Sequence, residues 1–497
     1  MMLANIASIE IPPLPRRLVD WLQDQSDAQL ARYGIDRPNI DERSFFPRLI
    51  LGDFLADQFT TLVDRARSSG IEVAVRTVTT VSDVRLVDDG LELTVKTLRF
   101  QSENVEFDYA VLATGHQWPE EPEIRPGYFI SPYPASALAR ISHCAVGIRG
   151  TSLSAIDAAV VLASSHGDFL LAAKGEICYS PHLGTEAFTI TMFSRKGLLP
   201  EADFFHPIPY QPLTICTSQA IQHLIDCAQP DGLLDEAFEL FRRELIADDP
   251  EYAATVCLAK ATLEGFCEAY FEQRSRTDPF DWAQSNLEEA AANMRDSVTV
   301  AWRYALLRMH EVIELIVPHL DDQEYERFTQ TFKMVFVDAY ATIPHESILR
   351  LLALRRCEKL NIVALDDKAR IDTTSVDHGA TVTSGTARWH FPAFIEATGQ
   401  KVLGADDFPF PSLRRAGVIQ DASEDAENGV KRGIAVDGQY HPLSSCHSSE
   451  RLFCLSLPYL LGQHPFAQGI TSSAEMAGVV AQAVGAAETP KLARADA

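Results

Sequence analysis

The sequence is short of positive charge and has no long hydrophobic run. Its 43 lysine and arginine residues face 69 aspartate and glutamate residues, which gives a formal net charge of −26. A nucleic-acid backbone or an anionic membrane surface would repel such a chain, so we expect a small-molecule partner and neither of those two. No stretch approaches the roughly 18 apolar residues that span a bilayer, and residues 1–10 lack the basic region of a signal peptide. The sequence therefore predicts a cytoplasmic protein.

Cysteines are scattered without a pattern. The sequence has nine of them, an odd number, and none stands in a Cys-x-x-Cys pair. This spacing disfavours both a disulfide framework and a zinc ribbon, so we predict reduced thiols and no metal site. A length of 497 residues suffices for roughly three domains with cores of their own.

The first part of the chain alternates helix and strand patterns. Residues 45–67 have helical spacing, and residues 71–76 are extended. Two alternating segments at 81–87 and 91–97 flank Asp88-Asp89-Gly90, a spacing typical of a β-hairpin.

Two short apolar strands share the same ending. Residues 109–113 run into Thr114-Gly115, and residues 394–397 run into Thr398-Gly399, so both strands close on Ala-Thr-Gly. Because residues 109–113 are apolar on both faces, they favour a central strand in a covered sheet.

Between these strand ends the pattern predicts a βαβ unit. A strand at 145–148, a helix at 153–163 and a strand at 188–193 follow one another. The region 218–354 is then helical in pattern, with its longest periodic stretch at 282–317. We expect the charged residues of that stretch on its solvent face, namely Glu288, Glu289, Arg295 and Arg303.

The turn of the βαβ unit has the composition of a dinucleotide turn. Such a turn needs a glycine for the sharp bend, a small residue beside the diphosphate, and a small residue where helix meets strand. Gly150, Ser152 and Ala155 stand at those places, with Thr151 between the first two. Ser152 leaves less room beside the diphosphate than a glycine would, but the helix dipole and the free N–H groups still attract an anion. We predict that these four residues bind the diphosphate of a nicotinamide nucleotide.

Ser194-Arg195-Lys196 ends the next strand. In a dinucleotide site, the residue at this place binds the ribose of the nucleotide. A cationic pair without a carboxylate favours a 2′-phosphate, and so NADP(H) over NAD(H). A solvated basic turn is the alternative, because the distance from Gly150 exceeds the usual spacing of about 20 residues.

A serine hydrolase is a competing interpretation of the same turn. A Gly-x-Ser-x-Gly elbow also joins a strand to a helix, and Gly150 to Ser154 match it except that Ser154 replaces the last glycine. Asp157 lies too close on the same helix to complete a triad with Ser152.

Taken together, the two Ala-Thr-Gly strand ends, the turn between them and the helical region resemble the FAD/NAD(P)-binding two-dinucleotide-domain flavoproteins, which are related to flavin-dependent monooxygenases and hydroxylases. The resemblance implies an α/β, Rossmann-like fold with a helical insert. It divides the chain into a FAD-binding-type domain at 1–140 with 390–497, an NAD(P)-binding-type domain at 141–217 and 356–389, and a helical insert at 218–355.

The resemblance also implies cofactor contacts. A helix that opens near 468 is expected to point its N-terminus at the flavin, where its dipole stabilises the reduced form. The residues implied along FAD are Thr114, Gly115, His116, Thr398, Gly399, Gly469 and Ile470, and Arg48 is a candidate phosphate ligand. For His116 and Arg48 a purely structural role is the alternative.

Two departures from this family concern FAD. A family member opens with a strand, a Gly-x-Gly-x-x-Gly turn and a helix, whereas the first glycines here are Gly34 and Gly52. We therefore expect an incomplete first domain, either because the true start lies upstream or because the unit is lost. Pro458 also stands where the family has glycine and an acid. A flavin without its diphosphate cradle would lose several hydrogen bonds of about 1.5 to 3 kcal/mol each.

The sequence thus predicts an oxidoreductase that depends on FAD and on NADP(H) or NAD(H), a monooxygenase or hydroxylase of a small organic substrate. It identifies no catalytic residue and no substrate. The alternatives are a non-catalytic relic that keeps the NAD(P) unit as an interaction module, and, third, a serine hydrolase that uses Ser152.

Overall fold

The computed structural model describes residues 2–88, 90–97, 102–172, 175–227, 232–423, 431–444, 450–467 and 469–495. Parallel strand pairs occur in two of the sheets, and a large body of helices separates strands of the bigger one. This is the predicted α/β fold with a helical insert.

The chain begins with three helices: α1 (Leu18–Gln23), α2 (Asp27–Arg32) and α3 (Arg48–Ser68). They pack around a small core that includes Trp21, Leu30 and Phe54. An antiparallel sheet follows, made of β1 (Thr79–Val87), β2 (Gly90–Thr97) and β3 (Ser102–Phe107). Val87 pairs with Gly90, which confirms the predicted hairpin.

The strand predicted at 71–76 is wrong. Residues 71–77 take no regular structure, although Ile71, Val73 and Val75 alternate as they would in a strand. A strand needs a neighbour to complete its hydrogen bonds, and no described strand pairs with this segment.

A second prediction about the first domain is wrong in part. β4 (Ala110–Leu112) forms as expected, but it pairs only with β16 (Leu452–Cys454), in parallel, among the described strands. It is therefore not central. Leu112 packs into a core with Val84, whereas Val111 on the opposite face is exposed.

The larger sheet has six strands in the order β11-β10-β7-β15-β6-β5. They are β5 (Glu123–Arg125), β6 (Tyr128–Phe129), β7 (Ala145–Arg149), β10 (Thr189–Ser194), β11 (Leu360–Ala364) and β15 (Ala393–Glu396). β7 pairs in parallel with β10 and β15, and α5 (Leu153–His166) follows it, which confirms the predicted βαβ unit. Gly147 is required in β7 because a Cβ there would overlap the rings of Phe391 and Phe394.

Smaller elements complete the sheets. They are α4 (Ala135–Leu138), the hairpin β8 (Gly167–Leu171) and β9 (Ile177–Pro181), and the meander β12 (Arg370–Asp372), β13 (Ala380–Ser384) and β14 (Ala387–Phe391). Near the end of the chain lie α15 (Pro411–Arg415) and α16 (Ile470–Ala495). Among the described residues, no helix has both the length and the apolar character needed to cross a bilayer.

The helical body has nine described helices and a core rich in phenylalanine, including Phe241, Phe332 and Phe336. The helices are α6 (Ser218–Cys227), α7 (Leu233–Asp248), α8 (Pro250–Thr255), α9 (Leu263–Ser275), α10 (Pro279–Asp296), α11 (Ala301–Glu314), α12 (Asp322–Arg327), α13 (Lys333–Tyr340) and α14 (His345–Arg356).

The single helix expected over 282–317 is wrong, because Ser297 takes a left-handed φ of 55° and ends α10. The break turns the next helix, so Arg303 is buried and not on the solvent face. Its guanidinium forms an ion pair with Glu201, and Glu201 also accepts a hydrogen bond of 3.0 Å from Trp282 Nε1. Glu288, Glu289 and Arg295 are exposed as expected.

The chain just after β10 fixes this helical body to the larger sheet. The Ala202 N–H donates to Asn286 Oδ1 of α10 at 2.7 Å, and Ala202 forms a β-bridge with Ile343 before α14. Arg274 of α9 donates from Nη2 to the carbonyl of Leu199 at 2.7 Å. Sheet and helices therefore share one stretch of backbone, which sets the position of the turn that follows β10.

Candidate functional site

The turn between β7 and α5 lies where three parallel strands end. The Gly150 N–H donates to the carbonyl of Phe193 at 2.7 Å, at the end of β10. Gly150 has a φ of 127°, and a Cβ there would overlap the carbonyl oxygen of Ala397, which follows β15. Only glycine meets both conditions. On the helix side of the turn, the Ala155 methyl lies 3.4 Å from that Cβ position.

The first turn of α5 presents its N–H groups without a side-chain cap. Ser152 is the N-cap residue, and its exposed side chain makes no cap hydrogen bond. The first helical bonds run from Ala155 and Ile156 to the Ser152 carbonyl. The N–H groups before them have no partner inside the helix, and together with the helix dipole they make this end suited to an anion.

Two predicted residues, Thr151 after β7 and Ser194 at the end of β10, are hydrogen-bonded to each other. Thr151 donates from Oγ1 to Ser194 Oγ at 3.1 Å, and the Gly197 N–H donates to the same Ser194 Oγ at 3.0 Å. The end of β10 is therefore held against the start of α5.

Arg195 and Lys196 are exposed, and their side chains contact residues of the helical body. Lys196 Nζ lies 4.4 Å from the ring centre of Phe271, and Arg195 Nη2 lies 3.7 Å from Met334 Sδ. Neither cation forms a salt bridge with a carboxylate in the described part of the chain, so both charges are available to a phosphate.

The two Ala-Thr-Gly turns meet. The Gln117 N–H donates to Gln400 Oε1 at 3.2 Å, which joins the chain after β4 to the chain after β15. Gly115 and Gly399 have φ values of 68° and 89°, and space is open where a Cβ of either would stand. These glycines are therefore required by their backbone conformation and leave room beside both turns.

The first of these turns is anchored to the end of the chain. Thr114 shares a hydrogen bond of 2.8 Å with Ser456 Oγ, just after β16. His116 lies 5.9 Å from the ring of Trp118, and partial burial lowers its pKa while a hydrogen bond to Gln400 opposes that shift. Thr398 is exposed beside Gly399.

Arg48 makes its ion pair with a residue of α5 that lies outside the two Ala-Thr-Gly turns. Its guanidinium forms an ion pair with the carboxylate of Asp157 on α5, which also accepts a hydrogen bond of 2.6 Å from Tyr133 Oη. Burial raises the pKa of Asp157 even though Arg48 lowers it. The arginine thus links the start of α3 to α5.

Gly469 and Ile470 begin α16 beside the first residues of the chain. Ile470 packs against the small core around Trp21, and Thr471 Oγ1 lies 3.5 Å from the carbonyl of Glu10. The helix expected to open near 468 is confirmed, although Gln468 itself lies outside the described residues.

Sequence reasoning missed Gln117 and Gln400. A signal was present, since a glutamine follows each Ala-Thr-Gly within two residues. Only the structure shows that the two turns are adjacent, because 283 residues separate these side chains along the chain.

Asp203 was also missed, and no local pattern marks it. Thr342 Oγ1 donates to its Oδ1 at 3.4 Å, and His345 Nε2 lies 2.8 Å from its carbonyl oxygen. Burial, and then the nearby carboxylate of Glu10, raise the pKa of Asp203 to about 7, against the opposing charge of Arg43.

Two family models match the chain. An FAD-NAD(P)-binding family matches residues 1–117, and a YdhS-like middle domain matches residues 217–340. The uncharacterized protein YdhS of Escherichia coli strain K12 is 40% identical over 486 residues, which make up 97% of this chain and 88% of that protein.

Two solved structures are similar at lower identity. The ornithine hydroxylase of Pseudomonas aeruginosa is 11% identical with a TM-score of 0.48, over 97% of this chain and 87% of that chain. The L-lysine 6-monooxygenase of Pseudomonas syringae is 14% identical with a TM-score of 0.47, over 97% and 86%. At this level the two proteins indicate nothing about the substrate of this chain.

The match over residues 1–117 confirms the predicted flavoprotein family and its cofactors, FAD and NAD(P). It does not distinguish NAD from NADP. The domain boundaries and the site residues remain predictions.

The residues of the β7–α5 turn fit a dinucleotide. A glycine that no other residue can replace stands next to an uncapped, exposed helix start. Next to β4 the fit is partial. Thr114 and Gly115 leave open space for a flavin, but among the described residues no helix starts from a glycine turn beside that strand. A cradle for the FAD diphosphate is therefore not found in the described part of the chain.

Proposed function

Because the chain belongs to the family of Escherichia coli YdhS and carries the FAD-NAD(P)-binding domain at residues 1–117, we propose that it is an FAD- and NAD(P)H-dependent oxidoreductase, a monooxygenase or hydroxylase of a small organic substrate. Its partners are then small molecules, not nucleic acids or membranes, and its location is cytoplasmic. The domain division is proposed as 1–140 with 390–497, 141–217 with 356–389, and the insert 218–355.

One continuous series of contacts carries this proposal. It runs from Gly150, which touches Ala397, through the next three residues to Gln400, and from there to Gln117 beside the first Ala-Thr-Gly turn. A nicotinamide nucleotide at the α5 turn and a flavin at the Ala-Thr-Gly turns would thus lie on one connected surface. Hydride transfer requires such proximity of the two cofactors.

Each predicted residue except Arg48 would have a role on that surface. Gly150, Ser152 and Ala155 are small, so a diphosphate could approach the N–H groups of the α5 turn, and Thr151 with Ser194 holds the turn in place. Arg195 and Lys196 would bind a 2′-phosphate. Thr114, Gly115, His116, Thr398 and Gly399 would line the flavin, with the α16 dipole at Gly469 and Ile470 favouring its reduced form. When bound, the cofactors supply hydride and electron transfer, which no side chain supplies.

No observation favours the two alternatives. For a hydrolase, Ser152 would need a histidine base and an acid, but Asp157 is bound to Arg48 and Tyr133, and no described histidine makes a hydrogen bond to Ser152. The interaction-module alternative keeps the NAD(P)-binding unit and predicts a protein without flavin that catalyses no redox reaction.

The test is a spectrum of the purified protein after reconstitution with FAD. The proposal predicts absorbance near 450 nm that NADPH bleaches under argon and that air restores. NADPH oxidation is then measured with a panel of amines, amino acids and phenols. A protein that remains colourless supports the interaction module, and one whose melting temperature NADPH leaves unchanged contradicts the proposed redox function. Labelling of Ser152 by a fluorophosphonate would instead support the hydrolase.

A further inference from the structure

A cavity of about 600 Å³ opens at the end of the larger sheet opposite the β7–α5 turn. Cys144, which precedes β7, and Ala393, which begins β15, both line it. The turn instead follows the carboxyl ends of the same strands. Six residue steps of about 3.3 Å separate Cys144 from Gly150, so the cavity lies roughly 20 Å from the turn. Small-molecule sites have volumes of about 300 to 1,000 Å³, and this cavity is therefore large enough for a ligand of its own.

The wall of the cavity is rigid. Pro122, Pro134 and Pro392 line it, and a proline ring fixes the backbone φ. A Cβ at Gly127 would overlap the carbonyl oxygen of Pro392, so two segments of the wall are in backbone contact. The Gly127 N–H also donates to Glu123 Oε1 at 2.7 Å, which holds that carboxylate in place. Such a preformed site loses less entropy when it binds a ligand.

Opposite charges line the cavity without neutralising each other. Glu120, Glu121 and Glu123 contribute carboxylates, and Arg140 contributes a guanidinium. All four residues are exposed. Arg140 forms no ion pair in the described part of the chain, so its nitrogens lie beyond 4.0 Å from each of the three carboxylates. Charges of both signs are therefore available to a ligand, and they are separated in space.

Apolar side chains form the floor of the cavity. Phe129 is buried, and Ala137 and Ile141 are half-buried. A hydrocarbon chain that lies on this floor removes apolar surface from water, which favours binding. The remaining polar side chains of the lining are those of Ser136, Ser142, Cys144 and His378.

We propose that this cavity is a second small-molecule site, and that its ligand is a zwitterion with an ammonium group and a carboxylate at opposite ends of a short apolar chain. Arg140 binds the carboxylate, because a guanidinium matches its geometry. Glu120 and Glu121 bind the ammonium group, and the apolar chain lies on Phe129 and Ile141. This inference does not depend on the proposed redox function.

Other classes of ligand fit this lining less well. A phosphate or a nucleotide would face three carboxylates, which repel it. A simple cation would be repelled by Arg140 and would leave it unpaired. Among the described residues, no group of histidine, cysteine and acidic side chains is placed to hold a metal ion. A ligand that carries both charges pairs with both kinds of group.

The test uses 6-aminohexanoate as the probe, with hexanoate and hexylamine as analogues that each lack one charge. Titration calorimetry on the 497-residue chain should show saturable binding of one probe molecule per chain. Each analogue should bind at least tenfold more weakly, because it leaves one side of the cavity unpaired. The probe should bind equally well in saturating NADPH, since the cavity lies far from the β7–α5 turn.

Charge variants assign the two ends of the ligand. Arg140→Gln should weaken binding of the probe at least tenfold, so that it binds no better than hexylamine. Glu120→Gln combined with Glu121→Gln should make the probe bind no better than hexanoate. Arg276→Gln and Glu288→Gln are the matched controls on the helical body, and both should leave binding unchanged.

Four results would overturn the proposal: no saturable binding of the probe up to about 10 mM, an analogue that binds as tightly as the probe, displacement of the probe by NADPH, or charge variants that bind it like the controls. The exchanged side chains lie at exposed positions, so the variants should keep the melting temperature of the parent chain. If one does not, Ser136→Trp decides, since Ser136 is an exposed residue of the lining and a tryptophan there should fill the cavity and abolish binding. Because none of these measurements requires flavin chemistry, they remain valid if the proposed redox function fails.

Discussion

Thr151 and Ser194 are hydrogen-bonded side chain to side chain at 3.1 Å, although 43 residues separate them along the chain. This bond fixes the end of β10 against the start of α5, so the residues predicted to bind a diphosphate and those predicted to bind a 2′-phosphate move together.

Replacing Gly150 with alanine should destabilise the protein by about 2 to 4 kcal/mol, because a Cβ there overlaps Ala397 and the φ is left-handed. It should also abolish the shift in melting temperature that NADPH produces. Urea unfolding and thermal shift measure the two effects. Gly184→Ala is the matched control, since Gly184 has a φ of 87° but open space around it. A loss for Gly150→Ala no larger than for the control would refute the steric explanation.

Removing both cations of the basic turn should weaken NADPH binding and spare NADH. Each charge-assisted hydrogen bond to a phosphate contributes about 1.5 to 3 kcal/mol, so Arg195→Ala with Lys196→Ala should raise the Kd for NADPH about a hundredfold or more. Titration calorimetry with both nucleotides measures the difference. Arg276→Ala, at a cation with a 75% exposed side chain on the helical body, should change neither Kd. Equal weakening for NADH would mean that the turn does not read the 2′-phosphate.

Stability should fall as the pH rises from about 4 to 7 because of Asp203, whose pKa of about 7 lies above the ordinary value of 3.8. In this range the carboxyl group is protonated in the folded protein and ionised in the unfolded chain, so unfolding releases a proton and a higher pH favours it. Urea unfolding at several pH values should show a decline of a few kcal/mol. Asp203→Asn should flatten this dependence, and an unchanged slope would assign it to another group.

Removing one partner of the buried Arg303–Glu201 ion pair should lower the free energy of unfolding more than removing both partners. Arg303→Met leaves Glu201 buried with only the more distant guanidinium of Arg274, 3.8 Å away, as a partner, and we expect a loss of about 3 kcal/mol in the free energy of unfolding. Glu201→Leu combined with Arg303→Met removes both charges and should recover part of that loss. Denaturant unfolding of the two variants provides the comparison, and a double variant less stable than Arg303→Met would contradict this account.

Local patterns predicted the parts of the fold that depend on local physics. The hairpin at Gly90 and the βαβ unit around Gly150 follow from turn chemistry and periodicity, and both are confirmed. The failures depend on neighbours. Segment 71–76 has the right alternation, but no strand in the described part of the chain pairs with it. Arg303 is buried because a single left-handed residue, Ser297, turns its helix.

The same limit applies to the candidate site. The residues of the β7–α5 turn could be proposed as a diphosphate site from spacing alone, because they form one continuous segment. The contact between Gln117 and Gln400 could not be predicted from the sequence, because it depends on the folded chain bringing two distant strand ends together. Asp203 has an ordinary sequence context, and its raised pKa arises from burial and from Glu10, which only the folded chain brings near.

The bridge between Ala202 and Ile343 has a practical consequence for anyone who exchanges parts between this protein and its relatives. A chimera cut at the edges of the matched middle domain, 217 and 340, would take Asn286 and Arg274 from one parent and the backbone they hold from the other. The smallest transferable block therefore runs from Leu199 to His345, and a graft with those ends should keep the donor's helices in register with the recipient's strands.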